Sequence, residues 1–539
     1  MKAVRWPWWT FDSGAAVGAA FARLLALISL CAWLSLGAQV QVLMGSRGLL
    51  PFAEFMRAVQ AEPGTSIFQL PTIFWWFHGD GALTVGVALG AALSIAALAG
   101  FRPRLCFALS TALYLSFAVV GRDFLSFQWD NLLLECGLLA SFLPTDAPAP
   151  TVHFLFRLLL FKLYFESGLA KWQSPIDDWR DGSAMTYYYQ TAPLPTWLAF
   201  YAHHLPIWWH HFESRATLVL ELVVPFAIFG PRRARLGAAI LFALFQIANA
   251  ATANYGFFCY LAAALSLFLL DDADLERARA RLGPLVPAAV GRIADRWRSA
   301  LAWVTPSADG ADAPARAELP GSGGVGAGHR WLGRAGARHR WLGRAGASLF
   351  IALSLIGGLY NFTEPGRLLT LAGPIFELNE RFRLVNSYHL FAAVTRERIE
   401  PELQTLAEGD PAAQVENGND DDGAWTAQDL WHKAGDPRRA PDFVAPHQPR
   451  VDFQLWFYGL GFRRGEPAYV SALVGRMCED PAAVQPLFRA PLPPHPSAVR
   501  IVYWEYAFAT AAEKRATGAW WRRARIAMSQ AIPCRRATR

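Results

Sequence analysis

Charge is scarce in this sequence. Only 17% of its 539 residues are Asp, Glu, Lys or Arg, and five of its 50 basic residues are lysine. Soluble domains carry about a quarter charged residues, so a string of ordinary soluble domains is excluded. Cysteine is also sparse, with six residues and no CxxC, which argues against a thiol oxidoreductase. There is no GxSxG elbow, no glycine-rich loop followed by Lys and Ser/Thr, and no HExxH, so the familiar serine-hydrolase, nucleotide-phosphate and zincin signatures are missing. What is present is apolar: 53% hydrophobic residues, 14% aromatic, 22 Trp and a mean hydropathy of +0.20. That composition points to a polytopic α-helical membrane protein, with Trp suited to interfacial belts. The net charge of +7 sits in loops beside apolar runs, not along one amphipathic face, so no nucleic-acid partner is expected.

Apolar runs lie at about residues 24–45, 83–100, 105–121, 130–143, 152–171, 216–229, 235–253, 255–270 and 345–362, giving about nine spans. The first, after Lys2 and Arg5, reads as a retained signal anchor. The runs near 130 and 216 are shorter than the ~20 residues of a full crossing and are open to a re-entrant reading. With a cytoplasmic amino terminus, this count puts Arg102/Arg104, Arg232/Arg233/Arg235 and the Arg-rich 277–344 on the cytoplasmic side. The carboxyl-terminal region then lies opposite, beyond the inner membrane of a bacterium or in the lumen of the endoplasmic reticulum of a eukaryote. The organisation expected is a helical membrane domain over 1–271, an Arg/Ala/Gly-rich linker over 272–344 with a tandem GHRWLGRAGA/RHRWLGRAGA copy, a last helix over 345–362, and an exported β-rich (α+β) domain over 363–539. In that domain RIEPEL and AVRIVYWEYAF read as strands and YVSALVGRMCED as a helix, while Asp420–Asp422 fall in a solvated loop without calcium-loop spacing.

Ionisable residues inside apolar runs are costly and usually face other helices or a wet cavity. Within 152–171, Lys162 and Glu166 lie roughly 40° apart on one helical face, favouring a mutual ion pair, whereas Arg157 and Lys171 lie opposite and near the ends, where they can snorkel. Glu135, Glu166 and Glu221 each sit five residues from the proposed outer end of a span, at a depth of roughly 7 to 8 Å. They and Lys162 are expected to line an outward-facing polar cavity beneath the 172–215 loop, which carries Trp179, Arg180, His203, His204, His210 and His211. The alternative is that they are packing ion pairs. The histidines invite a metal reading, but Pro206 interrupts their helix and no Cys accompanies them, so no metal or other cofactor is expected. Ser167 and Ser183 are nucleophile candidates by proximity only. Cys478 and Cys534 both fall in the exported region, where a disulfide is possible; the other cysteines lie in apolar runs.

The ordered motifs FLSFQWDNLLLE, KLYFESGLAKW, WRDGSAMTYYYQTAPLP, HHLPIWWHH and ELVVPF, flanked by GSRGLLP and PTIFWWFHGDGAL before and NSYHLFAAVTRERIEPEL, APHQPRVDFQLWF and GAWWRRARI after, resemble the lipase maturation factor family over nearly the whole chain. The resemblance implies a multi-span membrane protein, in the endoplasmic reticulum of eukaryotes, that helps lipase-like clients mature and contacts them through its exported region. Carried over, client contact falls to Asn386, Tyr388, His447, Gln448, Arg450, Trp456, Trp520 and Trp521, with membrane lipids as the other partner. The same motifs are open to holding the domain's own core or docking it on the membrane. The Arg-rich insertion and the lack of a recognisable retention signal depart from the eukaryotic pattern. A second functional class, a membrane-embedded enzyme acting at Glu135, Lys162, Glu166 and Glu221, stays open because a lysine among carboxylates is competent acid–base chemistry.

Overall fold

The computed structural model describes residues 14–282, 345–358, 362, 373–407 and 424–534. Among them, four helices are long and apolar enough to cross a membrane: α1 (Ala15–Gly37), α2 (Asp80–Leu98), α3 (Pro103–Val120) and α7 (Arg232–Thr252). These four are the clear candidates, so the expected count of about nine spans is not confirmed. α4 (Gln128–Ala140) has 13 residues and is buried nearly all round, which makes it a core helix. α5 (Pro150–Trp172) has the length, but it carries charge throughout and is lined by neighbours on most sides. α6 (Ile207–Leu222) gives way at Pro225 to a 3-10 segment, Val224–Phe229, because a proline cannot supply the helical amide, and α8 (Phe258–Leu265) continues as a 3-10 turn, Ser266–Leu269. A further short apolar helix covers Ala345–Gly358.

The first apolar run begins earlier than expected, at Ala15. Its free amide end is satisfied from across the fold, as Ala16 and Val17 donate to the Asp272 carboxylate at 3.1 and 2.9 Å. α1 then packs on α2 and α3. Gly90 of α2 lies against Trp33, where a methyl would come within 2.2 Å of the ring, so glycine here permits the close crossing. The Trp33 indole donates to Ser110 of α3 at 3.0 Å and meets Tyr114 and Phe117 edge-on.

The carboxyl-terminal region holds helix α9 (Gly373–Phe382), a sheet of order β2-β1-β3-β4, and helices α10 (Arg450–Gly461), α11 (Ala468–Glu479) and α12 (Ala511–Thr517). The strands are β1 (Arg398–Leu406), β2 (Trp425–Gln428), β3 (Ala498–Phe508), β4 (Trp521–Met528) and β5 (Ile532–Pro533). All pairings are antiparallel, with Leu403 opposite Ile501 in β1/β3 and a register shift at Tyr503/Trp504 in β3/β4. The strands expected from RIEPEL and AVRIVYWEYAF form and pair with each other, and YVSALVGRMCED forms α11. Cys478 and Cys534 are disulfide-bonded, with Cα atoms 5.0 Å apart, tying α11 to the chain beyond β5. The linker begins as a helix, Asp272–Leu282. Its remainder, the tandem copy up to 344 and Asp420–Asp422 lie outside the described residues.

Candidate functional site

Buried charge collects where the segment after α9 enters the helices. Lys162 of α5 reaches across to Glu135 of α4 at 3.0 Å, both nearly inaccessible. This corrects the expectation of a pair within α5. Although Lys162 and Glu166 share a face, α4 packs on that face and offers a carboxylate with better reach. Glu166 instead accepts the Tyr388 amide at 2.8 Å. Tyr388 turns its hydroxyl to Glu135 at 2.7 Å, and the Asn386 amide reaches the same oxygen at 3.0 Å. The carboxylates thus complete their hydrogen bonding with a loop segment of the carboxyl-terminal region, as buried charges require.

Glu221 belongs to a second, adjoining group. Lys171 lies 2.7 and 3.0 Å from its two oxygens and also donates to Leu390 O at 2.7 Å. Lys171 therefore does not snorkel, and neither does Arg157, which is buried and donates to Phe268 O at 2.6 Å. Of the four residues expected in one cavity, Glu135, Lys162 and Glu166 come together beneath Asn386 and Tyr388. Glu221 faces a separate pocket with a cavity volume of about 60 Å³, walled also by Lys171, Trp179, Tyr188, Gln246 and Phe391.

A third cluster joins Arg450, expected at a client surface, to Asp130, which had no place among the sequence candidates. Arg450 and Asp130 form a paired contact at 2.8 and 2.9 Å, with exposures of 1% and 0%, and Tyr114 donates to Asp130 at 2.5 Å. The signal available in the sequence was QWD, an aspartate at the mouth of an apolar run. Around it the chain from 442 to 456 is seated by polar contacts. Gln39 donates to Gln448 O at 2.7 Å and accepts the Arg450 amide at 3.0 Å. Ser35 accepts the Gln448 amide at 2.9 Å and meets His447 Nδ1 at 3.0 Å. Asn254 bridges Leu194, Asp442 and Val444, and Trp456 donates to Thr191 O at 2.9 Å. Thus Asn386, Tyr388, His447, Gln448, Arg450 and Trp456 all face the membrane helices or the loops joining them. Burial pushes the His447 imidazole down to about 4, aided by its neighbours His432 and Arg450.

The 172–215 loop is occupied locally. Trp179 donates to Phe391 O at 3.1 Å, and Arg180 holds Asp177 and Trp172 O. His210 bridges Glu213 and the His203 carbonyl, and His204 pairs with Phe200 O. Burial, then His204 and His210, lower His203 to about 4. Among the described residues no three His, Cys, Asp or Glu side chains converge as metal ligands. Trp521 is buried against Phe508, while Trp520 carries Lys514, whose ammonium lies 3.2 Å from its ring centroid. Beyond them β4 closes the sheet with Arg522, Ala524, Ile526 and Met528 exposed.

Residues 17–277 match the lipase maturation factor transmembrane domain, and residues 384–531 match the lipase maturation factor C-terminal domain. Lipase maturation factor 1 of Bos taurus is 32% identical over 94% of this chain and 86% of its own. Lipase maturation factor 2 of Homo sapiens is 30% identical over 93% of this chain and 80% of its own. No solved structure matches.

Proposed function

Because the chain belongs to the lipase maturation factor family, we propose that this integral membrane protein assists the folding or assembly of exported clients, lipases among them. The observation that carries the reading is the arrangement of the carboxyl-terminal domain, whose motif residues hold it against the membrane helices through buried pairs while β4, beyond the Trp521 amide held by Pro437 O, pairs with no further strand among the described residues. An uncovered edge strand offers unpaired backbone to an extended client segment, and its outward Arg522, Ile526 and Met528 supply charge and apolar contact. Client handling is thereby assigned to the β4 edge, with Trp520 beside it and the other motif residues holding its platform in place.

The proposed orientation has the amino terminus in the cytoplasm and the sheet domain on the far side, across the inner membrane of a bacterium or the endoplasmic-reticulum membrane of a eukaryote. Support comes from the basic end of the molecule, where Arg104 meets Ser141 O and Arg232 meets Asp271 and Asp274. The Cys478–Cys534 disulfide fits an oxidising compartment on the other side.

The test is co-expression with an exported lipase, reading the lipase's secreted specific activity. Ile526→Asp with Met528→Asp should abolish the gain given by the intact protein while leaving its amount in the membrane unchanged. A photo-crosslinking residue at 524 should capture the lipase. Undiminished lipase maturation by the double variant would end the reading.

A further inference from the structure

The pocket beside Lys171 and Glu221 holds hydrogen-bonding capacity that the protein leaves unused. Gln246 of α7 is 3% exposed and donates through Nε2 to Tyr164 at 2.9 Å, yet its Oε1 has no partner among the described residues. Tyr188 and Tyr255 share one hydrogen bond at 2.6 Å. One of these hydroxyls therefore keeps a free O–H, and so does Tyr164 after accepting from Gln246. Buried polar groups are normally satisfied, so an acceptor and two hydroxyl donors on residues that line one pocket mark a place for a ligand that can both donate and accept.

Three features narrow its chemistry. Most of the remaining wall is apolar, from Leu163, Met185, Phe245, Phe258 and Phe391, with Ser167, Thr217 and Asn249 as its uncharged polar members. The only charges in the lining are Lys171 and Glu221, which neutralise each other, so the site has no net charge to draw in a phosphate or carboxylate. Gln246 is six residues before the Thr252 end of α7, at a depth of roughly 9 Å, and the opposite face of that helix exposes Ile240, Leu244 and Ile247 as a lipid-facing helix does.

We propose that this pocket binds the hydroxyl-bearing end of a neutral lipid of the partial-glyceride class. The lipid hydroxyl donates to Gln246 Oε1 and accepts from the tyrosines, and the adjoining methylenes lie on the apolar wall. This is a site separate from the β4 edge, and its occupancy does not depend on client binding.

The experiment uses the full chain in phosphatidylcholine nanodiscs and a monoacylglycerol with a diazirine in its acyl tail, compared with the same probe after O-methylation of its hydroxyls. The free-hydroxyl probe should label peptides containing residues 163–171 and 245–258. Methylation, Gln246→Leu or Tyr188→Phe should each reduce that labelling about fivefold or more. Equal labelling by the methylated probe, labelling of Gln246→Leu at the wild-type level, or adducts spread evenly over α2 and the outer face of α7 would overturn the proposal. Should Gln246→Leu melt early, the two probes on the wild-type protein decide alone.

Discussion

Arg450 and Asp130 show what a buried pair does in this molecule. Each is nearly inaccessible, and the guanidinium also donates to Phe124 O at 2.5 Å, so removal of either partner strands the other in a low-dielectric interior. Asp130→Asn should destabilise the protein by about 3 to 5 kcal/mol, read as a lowered melting temperature in detergent, whereas Asp130→Asn with Arg450→Met should recover most of the loss. Equal damage from the single and double variants would count against the pair. His447 makes a pH-dependent prediction. Its folded value of about 4 lies below the ordinary 6.5, so the neutral form is the one that fits beside Ser35. Stability from this seat is complete above pH 6.5 and declines as pH falls from 6.5 toward 4, because the unfolded chain then binds the extra proton. Melting temperature should fall through that window, and His447→Gln should flatten the slope.

Elements meet closely where the sequence omits a side chain. Gly459 of α10 lies over β1, and a methyl there would come within 2.1 Å of the Ile399 carbonyl oxygen, which is backbone and unable to rotate away. Gly459→Ala should therefore lift α10 from the sheet, at about 1 to 3 kcal/mol, and lower the melting temperature without altering the helix content of the membrane domain. Circular dichroism and thermal melting check both halves of that statement. β1 itself is buried on both faces, which is unusual for a strand reading RIEPELQTL. Its carboxylates are matched instead. Glu400 pairs with Arg398 and Lys433, and Glu402 with Arg523 at 2.6 Å. A strand with this alternation reads from sequence as half-solvated. Its own Arg398, Arg523 of β4 and Lys433 before α10 make its polar face a buried one.

At the scale of the whole molecule, the membrane helices and the sheet domain form one packed unit through contacts separated by hundreds of residues, such as Tyr388 to Glu166 and Gln39 to Gln448. The orientation proposed for that unit predicts opposite accessibilities for two exposed positions. A cysteine placed by Ala524→Cys on β4 should react with a membrane-impermeant maleimide added outside intact cells or to the luminal face of opened vesicles. One placed by Arg279→Cys, on the helix Asp272–Leu282, should react only from the cytoplasmic side. The reverse pattern would invert the topology. Membrane class, the strands and helix of the sheet domain and the family were all legible, because each is written in local pattern: apolar run length, β-branched alternation and ordered aromatic motifs. The number of crossings was not, since α4 is short and α5 carries charge along its length, and apolar run length alone does not say whether such a segment spans.

The sequence by itself determined that charges at 135, 162, 166 and 221 needed partners inside the membrane domain, since desolvation of an ion acts wherever the apolar run is buried. It did not determine which partners. Helical spacing pairs Lys162 with Glu166 and sends Lys171 to the surface, while the folded chain joins Lys162 to Glu135, Lys171 to Glu221 and both groups to residues 386–390, more than two hundred positions away. Periodicity describes one helix at a time. The choice among partners belongs to packing, because only tertiary structure brings a distant carboxylate, carbonyl or amide within hydrogen-bond reach and closes out the water that would otherwise serve.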